Sequence, residues 1–323
     1  MKVFFSERYT LPLPAGHRFP IAKYQMVRDA LISTGVLSPD EIHDAPLAEP
    51  STILLAHTPS YFAAVKTGSL DAKAVRRLGF PWSEALYYRS LSTVGGALAA
   101  VKAAQQDGIS GNLAGGTHHA FADAGEGYCV FNDQAVAALK FIQDHPGARV
   151  AIIDLDVHQG NGTASILAGR SDIYVLSFHG ARNFPFIKVP STVDVALPDD
   201  TGDIEYLMRL EDALPAVFAF GPSLVLYQAG VDPLKADRLG KLGLTHLGLE
   251  ARDQMVLEHC SRRGIPVALA LGGGYASPIE RTVEAHVTTY RVVKECLKKM
   301  KPPLLDSVTR GVSEWRTTPN NLS

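Results

Sequence analysis

Ala151-Ile-Ile-Asp154-Leu-Asp156-Val-His158-Gln-Gly-Asn161-Gly162 runs an apolar strand straight into two carboxylates and an imidazole at alternate positions. Side chains at i, i+2 and i+4 of a strand share one face. Asp154, Asp156 and His158 therefore converge at the carboxyl end of that strand. Asp156 with His158 is an oxygen and nitrogen pair suited to a divalent metal such as zinc. The plainer reading is a surface strand end with solvated charges. Against it, three ionisable groups directly after Val150-Ala-Ile-Ile would be a costly way to end a buried strand unless they were paired or ligating.

Three other apolar segments end in the same manner. Asn112-Leu-Ala-Gly115-Gly116-Thr117-His118-His119 sets two adjacent histidines behind a glycine pair. Leu224-Val-Leu-Tyr-Gln-Ala-Gly230-Val231-Asp232-Pro233 ends in a carboxylate, and Val267-Ala-Leu-Ala-Leu-Gly272-Gly273-Gly274-Tyr275 ends in three glycines and a tyrosine. Singly, a histidine is more often a satisfied core or surface residue, Asp232 a loop acid, and Tyr275 a packing residue. Together they place polar or glycine-rich loops after four apolar strands, at the edge where open α/β sheets bind ligands. Asp156, His158 and Asp232 then form a mononuclear centre with coordination left for water and substrate. Such a metal lowers the pKa of its water and polarises a carbonyl. One histidine of the pair can take a proton and return it. Tyr275 offers a hydroxyl to the developing oxyanion, a role worth about 2.7–4 kcal/mol per donor. These residues point to metal-assisted hydrolysis of an amide or ester.

The ordered set Gly115-Gly116-Thr117-His118-His119, Asp154 to Gly162, Ala229-Gly230-Val231-Asp232-Pro233 and Leu271-Gly272-Gly273-Gly274-Tyr275 resembles the zinc-dependent histone deacetylase superfamily. Acetoin-utilisation proteins and acetylpolyamine amidohydrolases share that superfamily. The likeness runs from Tyr9 to about Tyr290. It implies a single-domain α/β fold of the arginase/deacetylase type, a mostly parallel central sheet with helices on both faces. It also implies Asp156, His158 and Asp232 as zinc ligands, with Fe2+ as a possible substitute at such a site. His118 and His119 would be the catalytic pair and Tyr275 the oxyanion donor, while Gly127, Tyr128, Phe184 and Gly273 would line the acyl-lysine tunnel. Asp154 would orient His118 and, with Ser177, hold a monovalent cation, usually K+. His17-Arg18-Phe19-Pro20 and Lys23 match the region where the family builds a channel for the released carboxylate.

The chain departs from the family pattern in two places. Most members carry an aspartate where this chain has Asn161, and His158-Gln-Gly-Asn161-Gly resembles the class IV branch and its bacterial relatives. Asparagine can fix the tautomer of His119 without adding charge, so His119 is expected to stay neutral to lower pH than His118, which Asp154 backs. In addition, Leu78-Gly-Phe-Pro-Trp82-Ser83 contains no match for the rim aspartate that holds a substrate backbone in many eukaryotic members. The related binuclear ureohydrolases place an aspartate where this chain has Gly230, so a second metal lacks its ligand. Removal of acetyl or other acyl groups from lysine side chains is the leading expectation. Hydrolysis of acetylpolyamines or other small amides is the alternative, and a silent acyl-binding module is opposed by the presence of all six chemical positions.

Composition is that of a globular enzyme. The 323 residues are 46% hydrophobic and 20% charged, a length that large α/β folds occupy as one domain. Lys+Arg 31 against Asp+Glu 33 leaves a formal charge of −2, which with no basic run argues against direct nucleic-acid binding. No stretch of about 18 apolar residues is present, which argues against a membrane span. The odd cysteine count, with Cys129, Cys260 and Cys296 scattered, suggests reduced thiols and, with no targeting signal, a bacterial cytoplasmic home. Cys129 is expected to be a small buried hydrophobe.

Strand and helix signals alternate. Ser38-Pro39-Asp40-Glu41 and Ser277-Pro278-Ile279-Glu280 read as capping boxes, and Thr58-Pro59 as another helix start. Ser83 to about Gln106 reads as a long helix whose Gly95-Gly96 pair permits close packing, and Asn132 caps a helix through Ile142. Further helices are expected over 207–220, 247–263 and 279–300, and a strand over 173–179. The catalytic domain is assigned to residues 1–300 and a loosely attached extension to 301–323. Phe184 and Phe186 sit in a long loop after the 173–179 strand, where they could wall an acyl chain or anchor the loop.

Overall fold

In the computed structural model, which describes residues 1–300, eight strands make one sheet: β1 Val3–Phe5, β2 Ile42–Asp44, β3 Ile109–Asn112, β4 Val150–Asp154, β5 Ile173–Gly180, β6 Val193–Leu197, β7 Leu224–Gln228 and β8 Val267–Ala270. The expected extension at 301–323 lies outside the described residues. Every pairing is parallel, in the order β2-β1-β3-β8-β7-β4-β5-β6. Parallel strands need crossovers, and helices supply them. They are α1 Lys23–Ser33, α2 Pro50–Ile53, α3 Pro59–Thr67, α4 Ala72–Leu78, α5 Glu84–Asp107, α6 Asp133–Asp144, α7 Asn161–Ile166, α8 Asp203–Ala219, α9 His246–Arg263 and α10 Glu280–Lys299.

The central strands are buried on both faces, so they read as continuous apolar runs, yet their side chains still alternate. Val150 and Ile152 of β4 enter a core with residues of α1, α3, α5 and α6, whereas Ala151 and Ile153 enter a second core with residues of α8 and α9. β7 divides likewise, Leu224 and Leu226 to the first core and Val225 and Tyr227 to the second. Register then aligns the strand ends: Asp154 pairs with Gln228, Gln228 with Ala270, and Ala270 with Asn112. The four chemistry-bearing loops therefore leave the sheet from one row. No helix among the described residues is long and apolar enough to cross a membrane.

Local expectations hold at most helix starts. Thr58, Ser83 and Asn132 each accept a backbone N–H with the side chain and cap α3, α5 and α6. Gly95 lies against the Pro46 carbonyl, where a Cβ would collide. Two expected helix starts need correction. Ser38 does form a capping box with Glu41, but the result is one 3-10 turn, Pro39–Glu41. Ile42–Asp44 then pairs with β1 instead of continuing a helix. Ser277-Pro278 is a cis peptide and caps nothing; α10 begins at Glu280 after Ile279, and Thr282 Oγ1 instead accepts from Ala276 N at 3.0 Å. α8 begins at Asp203, four residues before the expected Leu207. Asp203 is fixed there because its carboxylate accepts from Thr245 N (2.8 Å) and Thr245 Oγ1 (2.6 Å).

Candidate active site

A cavity of about 490 Å3 opens at the carboxyl edge of the sheet. Its lining includes His118, His119, Asp156, His158, Gly127, Tyr128, Phe184, Gly273 and Tyr275, all singled out in the sequence. Asp232 lies directly behind them, fully buried.

Asp156, His158 and Asp232 come together from the ends of β4 and β7. One donor atom of each lies within 4.8 Å of the other two. Other carboxylate oxygens are fixed by backbone donors: Gly273 N donates to Asp156 Oδ2 (2.7 Å) and Val157 N to Asp232 Oδ1 (2.9 Å). His158 Nδ1 stands 3.0 Å from Asp156 Oδ1 and 3.1 Å from Asp232 Oδ2. Burial pulls His158 down, but hydrogen bonds to the two carboxylates outweigh it and leave its pKa at about 10. Burial first, and then the neighbouring Asp156, pushes Asp232 up to about 7. A cluster that binds protons this tightly favours positive charge at its centre. Two carboxylates and one imidazole converging on one point fit a divalent cation. A Cβ at Gly230 would meet Asp156 Oδ2 at 2.5 Å, so no carboxylate for a second ion fits there.

The two histidines differ in their support. His118 Nδ1 pairs with Asp154 Oδ2 and His119 Nδ1 with Asn161 Oδ1, each at 2.7 Å. Burial lowers His118, yet Asp154 and Asp156 together raise it above the usual imidazole value. His119 is held well below that value by burial and then by repulsion from His118 and His158, which its bond to Asn161 offsets only in part. Tyr275 is kept protonated by burial and by Asp232, and among the described residues its hydrogen bonds run through the backbone N and O, not the hydroxyl. The Asp237 carboxylate, accepting Tyr275 N at 2.5 Å, fixes that loop.

The cavity wall at Gly127 and Tyr128 depends on unusual backbone. Gly127 has φ 54° and Tyr128 φ 68°, the left-handed region that non-glycine residues rarely enter. Both are held by the end of α4, Gly127 N donating to Arg77 O (3.2 Å) and Tyr128 N to Leu78 O (2.8 Å). A Cβ at Gly127 would sit 2.9 Å from His119 Cδ2 and 3.3 Å from Phe184 Cε1, so a side chain there would close the passage. Phe184 packs against His119 with ring centroids 4.9 Å apart. Phe186 is 85% exposed and stands outside the cavity lining. Ser177 pairs with Asp154 across β4 and β5, and its hydroxyl lies 3.0 Å from His179 Nδ1. Lys23 reaches the cavity and donates to Gly272 O at 3.1 Å, whereas Arg18 is exposed. Cys129 is buried and also lines the cavity, and burial raises its thiol pKa.

Four supporting residues were not singled out in the sequence. Asp133, at the start of α6, accepts from Gly116 N (2.9 Å) and Thr117 N (2.8 Å) and so holds the loop that carries the histidines. Glu126 accepts from Asn161 Nδ2 at 3.0 Å. Arg89 is a buried cation in the cavity wall, donating to Tyr9 O at 3.1 Å. Arg252, fully buried on α9, donates to Gly230 O (2.6 Å) and Leu155 O (3.3 Å), bracing from behind both loops that carry the Asp156, His158 and Asp232 cluster. Asp133 had a local signal, an acid directly after the capping Asn132; Arg252 had none.

The histone deacetylase domain model matches residues 17–290. An uncharacterised protein of Picosynechococcus sp. is 40% identical over 297 residues, covering 91% of this chain and 98% of that protein. Histone deacetylase 2 of Arabidopsis thaliana is 30% identical over 277 residues, covering 83% of this chain and 72% of its own length. Among solved structures, a histone deacetylase homologue complexed with SAHA superposes with a TM-score of 0.76 and 25% identity, covering 96% of this chain and 91% of that one. The acetylpolyamine aminohydrolase of Burkholderia pseudomallei has the same fold, with a TM-score of 0.76 at 20% identity over 92% of this chain and 98% of that one.

Proposed function

The chain belongs to the histone deacetylase family of hydrolases, and from that premise we propose that it removes acetyl or longer acyl groups from lysine side chains by a zinc-dependent route. One observation carries the reading. His118 and His119, each fixed through Nδ1, share a cavity with the Asp156, His158 and Asp232 cluster and with an uncommitted Tyr275 hydroxyl. Asp156, His158 and Asp232 would hold the metal, zinc or Fe2+, which when bound polarises the amide carbonyl and acidifies a water.

The chain's own groups do the rest. His119, neutral and with Nδ1 committed to Asn161, takes the proton of the attacking water at Nε2 and delivers it to the departing lysine nitrogen. His118, held more basic by Asp154, supplies positive charge beside the reacting carbonyl. Tyr275 donates its O–H to that oxygen as negative charge develops, worth about 2.7–4 kcal/mol. Gly127, Tyr128, Phe184 and Gly273 enclose the aliphatic stem of the lysine and exclude water. Lys23 and Arg89, cations buried in the cavity wall with no carboxylate partner among the described residues, favour retention and exit of a carboxylate product. Asp154 and Ser177 would border the K+ site. The pairing of His119 with an asparagine supports a class IV-like member.

The test is a matched panel on zinc-loaded protein: acetyl-lysine and longer acyl-lysine peptides, acetylated polyamines and arginine, each with and without chelator. Chelator-sensitive release from lysine peptides is expected. Turnover of polyamines alone would move the function to small-molecule metabolism, and turnover of no amide would overturn the hydrolase reading.

A further inference from the structure

The mouth of the cavity has a polarity that the hydrolytic groups do not use. Arg76 and Arg77, in the last turn of α4, line it beside the Gly127 wall. Leu239 lines it beside the Phe184 wall, tied there by Asn183 Nδ2 donating to Leu239 O at 2.7 Å. Arg77 is committed: its Nε donates to Glu126 Oε1 at 3.1 Å and its guanidinium stacks 5.1 Å from the Phe121 ring. Glu126 is committed too, since its other oxygen accepts from Asn161. Asp237, two residues before Leu239, spends its carboxylate on the backbone N–H groups of Leu239, Gly240 and Tyr275. Arg76 is exposed and makes no hydrogen bond or ion pair among the described residues. A basic residue in a last helical turn suits the helix dipole, but that does not account for a side chain on the cavity wall. Glu126 and Asp237 are thus both spent on groups of the chain itself, and the charge that Arg76 offers to a ligand is positive.

We propose that Arg76 selects substrates that carry a carboxylate next to the acyl-lysine, either an acidic neighbouring side chain or the lysine's own free α-carboxylate. The proposal rests on the deacylase reading and narrows its substrate class. A guanidinium is well matched to a carboxylate, which it can grip through two N–H groups. The same charge repels the second ammonium of an acetylated polyamine.

The experiment compares kcat/KM for zinc-loaded protein on amidated acetyl-lysine peptides that differ only in an Asp, Asn or Lys before or after the acetyl-lysine. A second arm places acetyl-lysine at the peptide terminus as free acid or as amide. Asp is expected to exceed Asn by about two- to fivefold at low salt, with Lys below Asn and the ratios shrinking toward one at about 0.5 M salt. Preference in the first arm identifies a side-chain carboxylate, and preference in the second the α-carboxylate; either supports the proposal. Arg76→Gln should flatten the Asp to Asn ratio, and Arg76→Glu should reverse the order of Asp and Lys. Cleavage of all peptides without charge preference, or a preference that survives Arg76→Gln, would overturn this proposal alone. Cleavage of none would overturn the deacylase reading with it.

Discussion

The floor of the cavity and its mouth are built on opposite terms. On the floor, Asp154, Asn161, Asp133 and Arg252 are buried and each is tied to a named partner. At the mouth, Arg76 and Leu239 stand exposed, and just past Phe184 the same loop exposes Phe186 and Ile187. Satisfied polar networks in a low-dielectric interior hold groups in one geometry, which proton transfer and carbonyl polarisation demand. A mouth residue with no internal partner among the described residues, such as Arg76, can vary without disturbing that geometry. On the proposed reading, the chemistry belongs to the floor and the choice of substrate to the rim.

That contrast can be broken by substitutions of graded severity. The largest effect is expected from removal of the divalent cation. A chelator should take turnover of an acyl-lysine peptide to background, and zinc should restore it. Next comes Arg252→Met, which leaves Asp253 buried beside it without its cation. The expected loss is about 3–5 kcal/mol of stability, read from the denaturant midpoint; a midpoint equal to wild type would show that the brace behind the metal loops is dispensable. Tyr275→Phe should lower kcat by about 10²–10³-fold while binding of a substrate analogue, followed by calorimetry, persists. Asn161→Asp adds a negative charge beside His119. Because the folded-state pKa of His119 lies below its usual value, the added charge should raise it. The acidic limb of the pH–rate profile, where the base is lost to protonation, should therefore move to higher pH; an unmoved limb would count against His119 as the base. The smallest effect belongs to the rim. Ile187→Ser, at a side chain 85% exposed, should change stability by no more than about 0.5 kcal/mol, and a larger loss would mean that the rim is structural after all.

Sequence and structure agree on which residues meet after β4, though not on the reason. Asp154, Asp156 and His158 do meet, but not by alternation along a strand: β4 ends at Asp154, and the loop after it is folded by Asp156 N donating to Asp154 Oδ1 (3.2 Å) and His158 N to Asp156 Oδ1 (3.0 Å), while the parallel sheet follows from strands alternating with helices. Joining Asp232 and Tyr275 to them rested on a shared habit of strand ends, which register makes physical through Gln228, Ala270 and Asn112. Arg252 could not be read in this way, since its carbonyl partners Leu155 and Gly230 lie on other elements and backbone carbonyls have no sequence signature. Ser277-Pro278 carried the letters of a helix start, but the chain turns there to present Tyr275, and tertiary context overrides a four-residue pattern. Phe186 and Phe184 look equivalent in sequence, and only the loop path sends one to the cavity and the other to solvent.

The strand order has a consequence for synthesis. β8 is the last strand of the described chain, yet it lies between β3 and β7. As the chain leaves the ribosome, β2-β1-β3 carries the histidine loop on one side and β7-β4-β5-β6 carries the candidate metal ligands on the other, with no strand yet made to join them. β8 closes that gap like a keystone, bringing Tyr275 with it. Pairings this distant in sequence form slowly. An unfinished chain therefore holds the parts of a hydrolase without being one, and catalytic activity itself becomes a report that folding has finished.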